Sequence, residues 1–137
     1  MTTEARFLCA VCGAVAGQVR LLRAGEPWTD CSRASLDALA DADALIRPSD
    51  QAALVDTFYG VAGQPVSDER LDRVADAVAA ADVAALYGLG YTYAPFYCPD
   101  CAASYCGEHW RWRQFDDGDL SGIEGRCPSG HFHVLCY

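Results

Sequence analysis

The chain has 137 residues, of which 52% are hydrophobic, and a formal net charge of −9 at neutral pH. This composition supplies enough apolar side chains for a folded core and excludes an intrinsically disordered chain. The negative charge disfavours general binding to nucleic-acid backbones. No apolar run is long enough to span a membrane, and no secretory signal is evident, so we expect a cytoplasmic protein with no membrane partner. All ten cations are arginine, which is typical of a GC-rich, hypothetically bacterial, coding sequence.

The first predicted elements are two strands that flank a pair of cysteines. Residues 6–8 predict a strand that leads into Cys9-Ala10-Val11-Cys12, and residues 18–23 predict a strand that leads away. Two residues between cysteines is the spacing of a zinc knuckle, in which both sulfurs face one ion. Gly13 suits the tight turn of such a knuckle. This part of the sequence therefore predicts a hairpin that carries two metal ligands.

The stretch from about 33 to 90 is predicted to be helical. Within it, residues 50–59 predict a short helix that ends at Gly60, because Leu54, Val55 and Phe58 would share one face. Ser67 is predicted to cap a longer helix, and Asp82 to begin a last short helix that runs through Tyr87. We interpret this stretch as an insertion into a single domain, 1–137, whose zinc-binding unit comprises residues 5–25 and 91–137.

Three further pairs of metal-binding residues follow near the end of the chain. They are Cys98-Pro99-Asp100-Cys101, Cys106-Gly107-Glu108-His109 and Cys127-Pro128-Ser129-Gly130-His131. Four such pairs in one small chain predict two closed tetrahedral Zn²⁺ sites, whereas disulfides and a redox-active CxxC are the weaker alternatives. The predicted ligands are Cys9, Cys12, Cys98, Cys101, Cys106, His109, Cys127 and His131. His133 or Cys136 could replace His131, and Cys31 is left over.

The four pairs can be connected in two ways. In a sequential arrangement, the first two pairs share one ion and the last two share the other. In a cross-brace, the first pair joins the third and the second joins the fourth, so that each site has three cysteines and one histidine. Cys106 and His109 have i,i+3 spacing, and a helix over 105–115 would place both on one face. A knuckle, a hairpin and then such a helix form a treble clef, which favours the cross-brace.

The run from Cys98 to His109 resembles the central part of AN1-type zinc fingers. Four residues separate its two pairs, and an aromatic residue, Tyr105, precedes the third-pair cysteine. The order of the four pairs is similar, more loosely, to RING-like cross-brace domains, and the match covers residues 6–13 and 96–133. The resemblance implies ligand roles at the matching positions. The chain departs from both families in the 85 residues between Cys12 and Cys98.

These observations predict an α+β fold: a small two-zinc treble-clef or zinc-ribbon-like unit with an inserted helical segment. Closed sites leave no position for a catalytic water, and no nucleophile or phosphate-binding motif occurs, so we expect no enzyme activity. The expected function is that of a structural zinc-binding protein–protein interaction module whose protein partner is unknown. The alternatives are a nucleic-acid-binding zinc ribbon protein, for which Trp110-Arg111-Trp112-Arg113 is the dense basic segment, and a ubiquitin-ligase-like adaptor.

Overall fold

The computed structural model describes residues 3–23, 51–116, 118 and 121–136. Within these ranges the fold is mixed α+β, with mostly antiparallel strands and two α-helices. The predicted α+β class is therefore confirmed at this level. None of the described helices is long and apolar enough to cross a membrane.

The first half of the fold is a four-stranded antiparallel sheet whose strands follow one another in sequence order. The predicted strands on either side of the first cysteine pair are present. Alternate residues of the second strand, such as Val19 and Leu21, point into the core and are almost fully buried. The strands are β1 (Thr3–Leu8), β2 (Val15–Leu22), β3 (Ala52–Thr57) and β4 (Gly60–Pro65).

The prediction of a helix over 50–59 is wrong, because these residues form β3 and its turn. Ala52, Ala53, Leu54 and Val55 are all buried, so this central strand lacks the alternation that normally identifies a strand. The turn into β4 is closed by the hydroxyl of Thr57, which donates a hydrogen bond to the carbonyl oxygen of Gly60. The predicted helical segment over 33–50 lies outside the described residues.

Two helices follow the sheet, as predicted. Helix α1 spans Asp68–Ala79 and packs on β1 and β2, and helix α2 spans Val83–Leu89. Ser67 occupies the predicted N-cap position of α1, although its side chain makes no capping hydrogen bond. Asp82 caps α2, because its carboxylate accepts a hydrogen bond from the backbone N–H of Ala85. Helix α2 continues two residues beyond Tyr87 to Leu89, and Gly90 is its C-cap.

A second predicted helix, over 105–115, is also absent. Residues 106–110 form a single turn, in which the N–H groups of His109 and Trp110 both donate to the carbonyl oxygen of Cys106. The chain then enters a strand, because the aromatic residues that follow favour an extended backbone when they pair with a neighbouring strand. The helix that a treble clef requires is therefore not present at this position.

The second half of the fold consists of a short hairpin and a three-stranded antiparallel sheet. A 3₁₀ turn at Tyr91–Tyr93 precedes the hairpin. The strands are β5 (Tyr97–Cys98), β6 (Ala103–Ser104), β7 (Arg111–Asp116), β8 (Ser121–Arg126) and β9 (Phe132–Cys136).

The two halves contact each other through the β3–β4 turn and through Phe96. The Phe58 ring lies 5.4 Å from that of Trp112, and the hydroxyl of Tyr59 donates to the carbonyl oxygen of Leu135. Phe96 is fully buried and lies 5.4 Å from the Phe7 ring. These contacts bring the β1–β2 turn close to the segment that follows β6.

Candidate metal centre

The first cysteine pair lies in the turn between β1 and β2. The backbone N–H of Cys9 donates to the carbonyl oxygen of Ala14, and the N–H of Gly13 donates back to Cys9 at 2.9 Å. Gly13 has φ of +76°, a conformation that glycine adopts without steric cost. The N–H of Val11 lies 3.4 Å from the Cys9 sulfur. This is the N–H···S geometry of a knuckle, and it stabilises negative charge on the sulfur.

The first pair meets the third pair, whose single turn brings Cys106 and His109 to the same side. The Nδ1 atom of His109 lies 3.5 Å from the Cys9 Sγ and 3.2 Å from the Cys106 Sγ. The Cys12 and Cys106 sulfurs are 3.7 Å apart. We call the cluster of Cys9, Cys12, Cys106 and His109 site I.

The second pair meets the fourth pair in a second cluster. Cys98 is the last residue of β5, and Cys101 lies in the β5–β6 turn, where Ala102 has φ of +52°. Cys127 and His131 lie in the β8–β9 turn, and the N–H of His131 points at the Cys127 sulfur at 3.4 Å. We call the cluster of Cys98, Cys101, Cys127 and His131 site II.

Site II has the same donor set as site I. The Nδ1 atom of His131 lies 3.2 Å from the Cys127 Sγ, 3.3 Å from the Cys101 Sγ and 3.7 Å from the Cys98 Sγ. The sulfurs of Cys101 and Cys127 are 3.7 Å apart. One histidine nitrogen therefore faces all three thiols, which makes the cluster a Cys₃His set.

The spacings in both clusters match the edges of a zinc tetrahedron. With Zn–S bonds of about 2.3 Å and Zn–N bonds of about 2.0–2.1 Å, tetrahedral angles require S···S edges of about 3.8 Å and S···N edges of about 3.5 Å. One S···S pair in each cluster is 3.7 Å apart, five S···N pairs are 3.2–3.7 Å apart, and all donor atoms of a cluster lie within 4.8 Å of one another. The two Cys₃His clusters can therefore bind metal ions.

Pairs one and three and pairs two and four thus lie together in space, as in a cross-brace. The structure brings all eight predicted ligands into these two clusters. The seven described cysteines are all free thiols, so no disulfide occurs among them, and Cys31 lies outside the described residues.

His133 occupies a position beside site II. Its Nε2 atom lies 3.4 Å from the Cys98 sulfur and 3.1 Å from an oxygen of Asp100. It forms a third possible donor group with those two residues. Its Nε2 atom contacts one site II sulfur, that of Cys98, whereas the His131 Nδ1 atom contacts three. His131 therefore completes the tetrahedral set better than His133.

Hydrogen bonds lower the pKa of one thiol in each site. Burial raises the pKa of Cys9, but hydrogen bonds from the backbone N–H groups of the site I turns outweigh it and hold that pKa at about 6. The side chain of Tyr105 hydrogen-bonds to Cys101 and, with Ser129, lowers its pKa to about 6. Since metal ions bind thiolates, these hydrogen bonds prepare both clusters for a cation.

At one other thiol in each site, burial dominates and raises the pKa. It raises the pKa of Cys98 to about 12 and raises that of Cys106 as well. Crowded, desolvated thiols of this kind would be costly to ionise without a cation among them. Each cluster thus combines a thiol that ionises readily with a thiol whose thiolate needs a positive charge nearby.

An aromatic shell surrounds site II, and only part of it could be anticipated. The buried Trp110 donates its indole N–H to the carbonyl oxygen of Phe96 and packs edge-on against Tyr105 and His133. Tyr105 was singled out in the sequence because it precedes Cys106, but its hydrogen bond to Cys101 was not predicted. The contact between Asp100 and His133 was not predicted either. The sequence feature that could have indicated it is the carboxylate of Asp100 between Cys98 and Cys101.

Comparisons with known proteins identify the family and leave the function open. No curated protein and no solved structure matches the chain. A family model described as a domain of unknown function, DUF8328, matches residues 1–136. The chain therefore belongs to the DUF8328 family.

Proposed function

We propose that the chain is a structural zinc protein that binds two Zn²⁺ ions, one at site I and one at site II. The observation that carries this proposal is the pair of Cys₃His clusters, each with an S···S contact close to the edge length of a zinc tetrahedron. Three thiolates and one imidazole are a donor set that selects zinc among the common divalent ions of the cell. Six thiolates add six negative charges and two Zn²⁺ ions add four positive charges, which takes the formal charge from −9 to −11.

The donor count supports a structural role over a catalytic one. A catalytic zinc site keeps one position open for water or substrate, whereas each of these clusters offers four protein ligands. The free thiols also suit a reducing compartment such as the cytoplasm. On this proposal the ions hold turns together and take no part in a reaction.

The described surface supports a role in protein binding. Leu8 is 58% exposed, Val11 is 56% exposed and Val15 is 48% exposed, although all three are apolar. Leu8 and Val15 are cross-strand partners beside site I, and Val11 lies within its knuckle. We call these three residues the knuckle surface. Apolar side chains grouped around a metal-braced turn are typical of a protein-interaction site.

Affinity capture with wild-type and variant proteins, followed by quantification of the captured partners, tests the interaction role. Wild type and a Leu8→Ser/Val11→Ser variant would be used to capture partners from the source cells, with Arg73→Ala on the exposed face of α1 as the matched control. We expect a partner that the control retains and the knuckle variant loses, and at least tenfold weaker binding when that partner is purified and titrated. Equal binding by all three proteins, each with two zinc ions, would overturn the interaction role.

A ubiquitin-ligase-like adaptor is a special case of this proposal. It rests only on the resemblance to RING-like domains and stays a prediction. It would gain support if the partner lost by the knuckle variant were a ubiquitin-type conjugating enzyme.

A further inference from the structure

One face of the β7–β8–β9 sheet is rich in arginine. Arg111 and Arg113 alternate along β7, and their cross-strand partners on β8 are Arg126 and Glu124. Phe132, opposite Arg126 on β9, is 49% exposed. These side chains line a shallow hollow of about 300 Å³. We call Arg111, Arg113, Glu124, Arg126 and Phe132 the basic face.

This concentration of positive charge contrasts with the rest of the molecule. Three of the ten cations in a chain of net charge −9 lie on the basic face. Among the described residues, Glu124 supplies the one carboxylate that lines the hollow, and it pairs with Arg113. In the described part of the chain, Arg111 has no ionic partner. The basic face therefore attracts anionic groups although the whole protein repels them.

Strand β7 is also an edge strand. It pairs with β8 on one side, and no backbone hydrogen bond to its other side occurs within the described residues. Residues 111–114 are all exposed. An edge of this kind presents free N–H and C=O groups, to which an extended peptide can add as a further strand.

We propose that the edge of β7 binds an extended acidic peptide, which pairs with the strand backbone. Its acidic side chains, two residues apart, would lie beside Arg111 and Arg113, because alternate residues of paired strands share a face. On the opposite face, an apolar side chain between them would meet Trp112, which is 39% exposed. This inference rests on the proposed role in protein binding and names the chemistry of one partner.

A peptide fits this surface better than a nucleic acid does. A peptide offers a regular row of backbone N–H and C=O groups that can pair with the strand edge, whereas the backbone of a nucleic acid offers only sugars and phosphates there. Arg113 already forms an ion pair with the carboxylate of Glu124, which shows that an arginine of the basic face can pair with a carboxylate. A longer polyanion would also meet the repulsion of the remaining negative charge.

Fluorescence anisotropy of labelled probes tests the proposal on the zinc-loaded protein. The probes are a short peptide of alternating Glu and Val, the same peptide with Lys for Glu, and a single-stranded DNA of similar length. We expect the Glu/Val peptide to bind in a salt-sensitive manner and the other two to bind at least tenfold more weakly. Methylation of the amide nitrogens that face β7 should also weaken binding, and methylation of the alternate amides should not.

Two variants distinguish binding at the β7 edge from binding elsewhere on the protein. The Arg111→Glu variant should bind the Glu/Val peptide about tenfold or more weakly than wild type, and the Arg73→Ala variant should bind it as tightly as wild type. No binding of the Glu/Val peptide, equal binding of the Lys/Val peptide, or tighter binding of the DNA would overturn the proposal. Zinc content and the knuckle-surface partner are measured on the same samples. If these persist while the peptide fails to bind, the inference fails and the proposed function stands.

Discussion

Two histidines lie near site II, and the number of thiol sulfurs that each contacts indicates which one is the fourth ligand. His131 Nδ1 lies within 3.7 Å of three thiol sulfurs, whereas His133 Nε2 contacts the sulfur of Cys98 and an oxygen of Asp100. We predict that His131→Ala binds one zinc per chain. We predict that His133→Ala still binds two, with an affinity at site II lowered by about 10–100-fold, as is usual when a residue beside the ligands is removed.

Native mass spectrometry and competition with a chelator measure both quantities. The two variants remove the same side chain from positions two residues apart, so each is the control for the other. A His133→Ala protein that holds one zinc, beside a His131→Ala protein that holds two, would reverse the assignment.

Gly17 on β2 is a contact point between the halves of the fold. A Cβ atom at this position would overlap the ring of Phe96, which is fully buried and has little room to move. Gly17→Ala should therefore lower the free energy of unfolding by about 1–3 kcal/mol, as overpacked cores usually do. Urea denaturation measures the change.

Gly88 in α2 provides the matched control. A Cβ atom there would meet nothing within 4 Å. Gly88→Ala should raise the stability by roughly 0.5–1 kcal/mol, because alanine favours a helix interior over glycine. A stable Gly17→Ala protein would show that Phe96 does not pack against this backbone.

At the level of elements, each site joins segments that are distant in sequence. Site I connects the β1–β2 turn to the turn after β6, and site II connects the β5–β6 turn to the β8–β9 turn. We predict that Cys12→Ser loses the site I ion and keeps the site II ion. Hydrogen exchange should then become faster in residues 9–14 and 106–110, while the β8–β9 hairpin stays protected.

Cys127→Ser gives the reciprocal test. It should release the site II ion and expose the β8–β9 turn to exchange, while the β1–β2 turn keeps its protection. A loss of both ions from either variant would show that the two sites form only together.

The local parts of the metal sites could be predicted from the sequence. Cys-x-x-Cys and Cys-x-x-His spacings fix two ligands within one turn, and β1 and β2 follow from the residues beside the first pair. Helices α1 and α2 were predicted for a similar reason, since Asp82 and the apolar stripe of α1 act within a few residues.

The predictions that failed depend on contacts made elsewhere in the fold. Residues 52–55 are buried without alternation, because β3 is an inner strand between β2 and β4, and a short apolar run of this kind also fits a helix. The i,i+3 spacing of Cys106 and His109 fits a single turn as well as a helix. Residues 111–116 are extended because they pair with β8. The residues around Cys106 and His109 do not indicate that this pairing will form.

For the whole molecule, we expect metal to hold the second half of the fold together. Sites I and II brace four turns, and the cluster around them contains few large aliphatic side chains. Structural zinc is worth about 10–16 kcal/mol in small zinc-binding peptides, which compares with about 5–15 kcal/mol for the net stability of a domain. Removal of both ions should therefore unfold the region around Trp110.

Circular dichroism during chelation checks this expectation. The near-UV signal of the tryptophans should disappear, because Trp110 loses its buried contacts with Tyr105 and His133. Far-UV helical signal should largely remain, since α1 packs on β1 and β2 in the other core cluster. An unchanged near-UV spectrum after complete chelation would mean that packing alone maintains this region.

The central claim is that the chain carries two structural zinc sites, and metal content per chain tests it most directly. Elemental analysis would use protein purified without added metal, together with a count of reactive thiols under native conditions. We predict two zinc ions per chain, with Cys9, Cys12, Cys98, Cys101, Cys106 and Cys127 protected from the thiol reagent. One zinc ion or none, with these six thiols freely reactive or oxidised to disulfides, would contradict it.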